Sequence, residues 1–369
     1  MLKILWFNWR DIKNPHFGGA EVLTHEIATR LTKKGDYDIT LFTSYFSGSL
    51  RSELLDGIRI LRNGGIYTVY EKAKKFYKEN KSRYDLVIDE INGKPFLTPK
   101  YVKPEKPIIA LIHSTTAEQF LYELSFPANY LCYYYFEKRW LSYYRNVPTV
   151  TVSQSSKFEL EKLGFKRISV IPQGVSKPTL PSLQQKESLP TLIFVGRLKR
   201  HKLPDHAILA FLSIKKRIPN ARLWIIGDGY MRKRLQENFD APDIRFYGQV
   251  NSEMKYELLS KAHITLVPAT HEGWGLVVTE SNSVGTPVVA YDVPGLRDSV
   301  KDGETGILVK EKCPESLASS AIGLLEDRSL LEEFSRRALS FSRQFSWDIT
   351  TDAFDKIIKG TLSDKMLVR

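Results

Sequence analysis

Short, unbroken apolar runs alternate along this chain with segments whose apolar residues return every three or four positions. "LKILWF" (2–7) reads as a buried strand, and "GGAEVLTHEIATRLTKKG" (18–35) follows it with Val22, Ile27 and Leu31 at helical spacing. Next come "DITLFT" (38–43), "GIRIL" (57–61), a lysine-rich helix near 68–80, "YDLVID" (84–89), "PIIALIH" (107–113), a helix near 128–144, "PTVTVS" (148–153), a helix near 155–163 and "ISVIP" (168–172). The second half repeats the scheme. It has "TLIFVG" (191–196), a helix near 203–217, "ARLWIIG" (221–227), a helix near 230–238, "IRFYG" (244–248), a helix near 252–261, "HITLVPA" (263–269) and "TPVVAY" (286–291). Continuous aliphatic strands separated by helices predict parallel sheets covered on both faces.

Between the halves lies "PQGVSKPTLPSLQQKESLP" (172–190), whose Pro, Ser and Gln content marks a linker. At 369 residues the chain exceeds the usual size of one core. The expected fold is therefore α/β, with two facing Rossmann-like, doubly wound parallel-sheet domains. One spans 1–172 and the other 173–345. Ligands of such sheets bind beyond the carboxyl ends of the strands, so a cleft between the domains is the expected site.

Composition narrows the classes. No apolar run approaches the ~18–20 residues a membrane span needs, and Met1 precedes a strand pattern. The chain is expected to be soluble and cytoplasmic. Cys132 and Cys313 stand far apart with no ligand spacing, so both are read as free thiols. The net charge is +12, with the larger surplus in the first half. A basic surface attracts nucleic acid, anionic membrane or phosphorylated small molecules. With no zinc finger, RNP sequence or basic heptad array, nucleic acid is set aside.

Three segments carry candidate chemistry. "VGRLKRHKLP" (195–204) ends a strand: Gly196 permits close backbone approach, and Arg197 and Lys202 suit a diphosphate. Gly18 and Gly19, between the first strand and helix, let backbone amides approach an anion. "HEGWGLVVTESNSVGTPVVAY" (271–291) sets Glu272 and Glu280 eight positions apart around a turn loosened by Gly273 and Gly275. Leu276 and Val277 open a helix whose first-turn amides face outward with positive partial charge. A carboxylate at Glu280 would repel phosphate but accept hydrogen bonds from hydroxyls, and Glu272 can do the same for a second set. A diphosphate flanked by two polyols describes a nucleotide sugar. "GDG" (227–229) is read as a structural turn, and Asp36-Tyr37-Asp38, on the wrong side of the sheet for a ligand, as a turn rather than a metal motif.

Taken in order, these segments resemble the retaining glycosyltransferases of family 4, which have the GT-B architecture. The resemblance runs from about Lys3 to Ile358. It rests on "GGAE" (18–21), "HS" (113–114), "VSQSSK" (152–157), "VIPQGV" (170–175), "GRLKRHK" (196–202), "IGDG" (226–229), "HEGWGLVVTE" (271–280) and "GTPVVA" (285–290), joined by "VPGLRDSVKDGETGILV" (293–309) and "FSWDIT" (345–350). Gln173 and Leu203 depart from the family's usual asparagine and glycine. By the same resemblance, a last helix over 346–369 packs back onto the first domain.

The resemblance implies that Arg197 and Lys202 bind the donor diphosphate, Glu280 the ribose and Glu272 the transferred sugar. The Leu276 and Val277 amides would meet the phosphate, Gly18 and Gly19 would close over it, and His113 would sit near the sugar. Glu118 and Phe120 would reach the acceptor. The reaction implied is hexose transfer from a UDP or GDP type donor to a hydroxyl of a glycan, glycolipid or polyprenyl-linked acceptor. The configuration would be retained, with no obligatory cofactor or metal and with the leaving phosphate taking the acceptor proton. Two alternatives stay open: a glycosidase using Glu272 and Glu280, and a non-catalytic sugar-nucleotide or glycan-binding module. The segment "NYLCYYYFEKRWLSYY" (129–144) places Cys132, Phe136, Trp140 and Tyr143 at helical spacing and is read as a core-facing stripe. The competing reading is a peripheral contact with the inner face of the cell membrane.

Overall fold

A computed structural model describes residues 1–115, 117–176 and 186–367. Most of the expected linker, 177–185, and the side chain of Glu118 lie outside the described residues. The chain divides into two compact units. The first holds Met1–Ala117, Phe126–Gly174 and Trp347–Arg369; the second holds Glu118–Ser125 and Val175–Ser346.

The first unit is built on eight strands: β1 (Leu2–Phe7), β2 (Tyr37–Thr43), β3 (Ser52–Leu55), β4 (Ile58–Arg62), β5 (Leu86–Ile91), β6 (Ile108–Ile112), β7 (Thr149–Thr151) and β8 (Ile168–Val170). Their order is β3-β4-β2-β1-β5-β6-β7-β8. All pairs are parallel except β3 with β4. Ile4, Leu5, Trp6 and Phe7 are fully buried, which is why β1 shows no polar alternation. The β3–β4 hairpin was not expected. β3 is a half-exposed "SELL", and its signal is the Asp56-Gly57 turn, where both residues have positive φ, 49° and 86°. Asp36-Tyr37-Asp38 is also corrected in part: Tyr37 and Asp38 already belong to β2.

The stripe over 129–144 is a second correction. Helix Ala128–Leu131 passes through a π-helical turn, Cys132–Phe136, before helix Glu137–Ser142. The wide turn adds a residue and rotates the pattern. The inward positions are Glu137, Leu141 and Tyr144, while Phe136 and Tyr143 are exposed and Cys132 and Trp140 are half-buried.

Helix Trp347–Leu367 completes the first unit. Phe354 stacks on Trp6 with ring centroids 5.4 Å apart. Asp348 accepts from Arg30 at 2.9 Å, Asp352 from Lys34 at 2.7 Å, and Asp355 from Tyr37. Gly174 is required at the helix start: a Cβ there would stand 2.5 Å from the Trp347 nitrogen.

The loop from β1 to helix Gly19–Lys33 is pinned by buried charge. Arg62, fully buried on β4, grips Asp11 through Nε at 2.7 Å and Nη2 at 2.9 Å, and Nη1 meets Glu53 at 2.5 Å. Arg10 donates to Glu21 at 3.0 Å, and Glu21 accepts from the Gly18 N–H at 2.6 Å. These contacts place the glycine pair.

The second unit carries β9 (Thr191–Val195), β10 (Arg222–Ile226), β11 (Ile244–Gly248), β12 (Ile264–Val267), β13 (Val288–Tyr291) and β14 (Gly306–Val309) in the order β11-β10-β9-β12-β13-β14, all parallel. Its core joins Leu192, Phe194, Phe211, Ile225, Leu266 and Val289.

Two outcomes follow from these ion pairs. Arg62→Ala leaves Asp11 buried without its cation and should cost about 3–5 kcal/mol in urea unfolding; a loss under about 1 kcal/mol would show that the pair does not hold the loop. The C-terminal helix should respond to pH. Burial opposes ionisation of Asp355, but hydrogen bonds from Tyr37, Lys359 and Lys34 outweigh it and hold the carboxyl below its ordinary 3.8. That stabilisation is present above 3.8 and lost as pH falls through the lowered value. The hydrogen bond to Asp352 outweighs burial in raising Lys34 above its ordinary 10.5, a stabilisation present below 10.5 and lost as pH rises. The urea midpoint should therefore decline below pH 4, and Asp355→Asn should lower it at pH 7 while flattening the acid decline.

Candidate functional site

In the second unit the strand order reverses between β9 and β12: the chain steps from β9 outward to β10 and β11, then returns to β12 on the other side. The loops leaving β9 and β12 therefore part in opposite directions at their carboxyl ends, where open α/β sheets bind ligands. Arg197 and Lys202 stand on the loop after β9, and Glu272 on the loop after β12.

Glycine lets these loops touch. A Cβ on Gly227 would lie 1.9 Å from the Gly196 carbonyl oxygen, and one on Gly229 would lie 2.3 Å from that of Leu198. The 227–229 turn is thus a backbone brace under the Arg197 loop, fastened by Leu198 N–H to Asp228 O at 2.9 Å and Met231 N–H to Leu198 O at 3.1 Å. Gly295 serves the other loop, since its Cβ would stand 2.2 Å from the Glu272 carbonyl oxygen. Thr270 N–H donates to His201 O at 3.0 Å, which ties the two loops together.

On this frame Lys202 Nζ donates to Glu272 Oε1. Burial pushes the Glu272 carboxyl up, but the charge and hydrogen bond of Lys202 outweigh it, and Glu272 is held below the ordinary carboxylate range. Arg197 is half-buried and donates no side-chain hydrogen bond among the described residues. Gly275, at φ 84°, turns the chain into helix Leu276–Asn282. The N–H groups of Leu276 and Val277 meet no acceptor among the described residues. Glu280 lies in that helix and accepts from Lys255 Nζ at 2.7 Å. Lys255 was missed by sequence reasoning: one lysine in an amphipathic helix carries no signal.

Glu123 was also missed. The short segment 118–125 belongs to the second unit, and Glu123 accepts from the His201 N–H at 3.2 Å, from His201 Nδ1 at 2.6 Å and from the Tyr230 hydroxyl at 2.9 Å. Burial opposes its ionisation, yet the His201 and Tyr230 bonds bring it down to about 2. Burial and the nearby Lys202 and Arg197 charges lower His201, so a neutral imidazole donates to an ionised carboxylate at neutral pH.

In the first unit the strand order reverses between β1 and β5. Gly18 caps helix Gly19–Lys33 in extended conformation, at the end of the loop leaving β1. His113 follows β6, nearly buried, with Nε2 2.9 Å from Glu90 Oε1 and its carbonyl accepting from Ser156 Oγ at 3.0 Å. Among the described residues no group of three or more His, Cys, Asp or Glu is placed to hold a metal ion, and no helix is long and apolar enough to cross a membrane. A cation without a partner, a cation shared with a carboxylate, outward amides and a second carboxylate can together hold a diphosphate and adjacent hydroxyls.

The family model described as Glycosyltransferase Family 4 matches residues 17–177, and that described as Glycosyl transferases group 1 matches residues 177–341. Among curated proteins the chain is similar to the D-inositol 3-phosphate glycosyltransferase of Acidothermus cellulolyticus, 32% identical over 54% of this chain and 49% of that protein. It is also similar to the phosphatidyl-myo-inositol mannosyltransferase of Mycolicibacterium smegmatis, 25% identical over 76% of this chain and 72% of that protein. The chain spans about half the length of the inositol-phosphate relatives it matches. Among solved structures, sucrose-phosphate synthase from Thermosynechococcus elongatus aligns with a TM-score of 0.81 at 18% identity, over 99% of this chain and 100% of that one. Anabaena HepE, solved in complex with UDP and glucose, aligns with a TM-score of 0.73 at 16% identity, over 98% and 100%. At these identities the likeness is one of fold. Covered by the two family models from residue 17 to residue 341, the chain belongs to the family 4, group 1 glycosyltransferases.

Proposed function

We propose that this chain is a retaining glycosyltransferase that moves a hexose from a UDP or GDP type nucleotide sugar to a hydroxyl of a glycan or lipid-linked glycan. The observation that carries the reading is the half-buried Arg197 beside the Lys202–Glu272 pair at the β9/β12 reversal. Arg197 grips the diphosphate through its planar fork, and Lys202 contributes a point charge. When phosphate takes over Lys202, Glu272 is released to accept hydrogen bonds from the transferred sugar. Glu280 accepts from the ribose, with Lys255 neutralising its repulsion toward the phosphates. Gly196 and Gly275 keep the backbone close, and the Leu276 and Val277 amides face the anion. The second unit thus serves the donor. The first serves the acceptor; in this reading its Gly18–Gly19 backbone also meets the diphosphate and its His113 the transferred sugar.

In the transition state charge builds on the departing phosphate. Preorganised cations and amides aimed at that charge are the largest source of acceleration, and the departing oxygen takes the acceptor's proton. A glycosidase needs one carboxyl kept protonated. Glu272 is held below the ordinary range and Glu280 is paired with Lys255, so neither suits that task.

Exposed Phe126, Tyr130, Leu131, Tyr134 and Tyr135 lie next to exposed Lys138 and Arg139, which supports contact with an anionic membrane carrying the acceptor. The Mycolicibacterium smegmatis relative is named a phosphatidyl-myo-inositol mannosyltransferase.

Arg197→Ala should lower kcat by about 10²–10³-fold, the effect of deleting one preorganised donor, measured as nucleoside diphosphate released; near-native turnover would refute the assignment. In a thermal-shift panel one UDP- or GDP-sugar should raise Tm, and Lys202→Ala should diminish that rise. The protein should sediment with anionic but not neutral liposomes and detach as salt rises, and Lys138→Glu with Arg139→Glu should abolish sedimentation.

A further inference from the structure

β5 ends in a carboxylate hidden from solvent. Glu90 is 1% exposed, and no lysine or arginine pairs with it among the described residues. Oε2 accepts from Trp6 Nε1 at 2.8 Å and from Thr24 Oγ1 at 2.5 Å, while Oε1 faces His113 Nε2 at 2.9 Å. An indole N–H can only donate, so Oε2 is an acceptor. Thr24 Oγ1 accepts from Asn8 Nδ2 at 3.3 Å and lies within reach of both Glu90 Oε2 and the Ala20 carbonyl oxygen, the latter at 3.1 Å. As a carboxylate Glu90 offers only acceptors, Oε2 to Trp6 and Oε1 to His113. His113 must then carry its proton on Nε2.

We infer that Glu90 is a positioning residue that fixes His113 as the Nε2–H tautomer and leaves Nδ1 as an open acceptor for a hydroxyl of the transferred sugar. The inference rests on the glycosyl-transfer reading above. Nδ1 takes no hydrogen bond among the described residues. A sugar hydroxyl that donates to Nδ1 keeps more electron density on its oxygen. That density eases the positive charge that grows on the sugar as the phosphate leaves, so the gain falls on kcat rather than on ground-state binding. The same carboxylate holds Thr24 of helix Gly19–Lys33 and Trp6 of β1, so the element that presents Gly18 and Gly19 and the strand end that presents His113 share one anchor.

Glu90→Gln is the discriminating variant. Trp6 continues to demand an acceptor, so the amide oxygen stays with it and the NH2 turns to His113. Nε2 then becomes the acceptor and the proton moves to Nδ1. ¹⁵N-histidine NMR, with the ring assigned through His113→Ala, should report Nε2–H in the native chain and Nδ1–H in the variant. kcat should fall on the order of 10²-fold, the lower range for a wrongly placed proton, with the donor KM within about twofold and Tm little changed. Glu90→Asp, which keeps an acceptor-only end, should retain the native tautomer and more activity than the glutamine. In a His113→Ala background, Glu90→Gln should cost little further kcat. A native Nδ1–H ring, or a flipped ring with unchanged kcat, overturns the inference. If the native chain turns over no nucleotide sugar, the glycosyl-transfer reading fails, and the ring spectra still decide whether Glu90 sets the tautomer.

Discussion

Each of the two sheets grows outward in both directions from a central strand, and the constraint this imposes governs everything built on top. A right-handed crossover on one side carries the chain away from the next crossover on the other, so two neighbouring strands end without a shared loop above them. In the second unit that gap falls between β9 and β12, in the first between β1 and β5. The chemistry-bearing residues cluster at these ends because only there can backbone and side chains from separate loops converge. Gly196 against Gly227, and Glu272 against Gly295, are the close contacts that convergence demands.

Charge in these regions is arranged in opposed pairs rather than as a uniform basic surface. Lys202 meets Glu272, Lys255 meets Glu280, and Arg10 meets Glu21, while Arg197 alone among these cations is left without a side-chain acceptor among the described residues. Pairing keeps flexible side chains in fixed positions, so less ordering remains to be done when an anion arrives. Under the proposed function, the pairs let acidic and basic groups coexist around a diphosphate: each carboxylate has a cation to hold it until hydroxyls compete for it.

Much of this was legible from residue order. β6 is aliphatic throughout and β1 and β5 are mostly apolar because both faces are covered, and that signal survives without any partner information. Arg197, Lys202, Glu272 and Glu280 could be singled out because glycines and strand ends bracket them. The losses have physical causes. β3 is a half-exposed edge strand whose only mark is Asp56-Gly57. The stripe of Cys132, Phe136, Trp140 and Tyr143 assumes an unbroken 3.6-residue repeat, and one π-helical turn invalidates it. Glu90 carried no signal of its own, because its meaning depends on Trp6, Thr24 and His113, which are remote in sequence.

The joint at Gly174 and Trp347 carries a further implication. The first unit's sheet is written in the opening half of the chain, yet the helix that covers Trp6 and engages Lys34 and Tyr37 is written last. During synthesis on the ribosome the earlier unit must wait, with part of its apolar face open, until the later one has emerged. A gene cut after codon 174 would leave that face permanently bare, so the first unit can be produced alone only if the closing helix is supplied again, by fusion or by permuting the order of the reading frame.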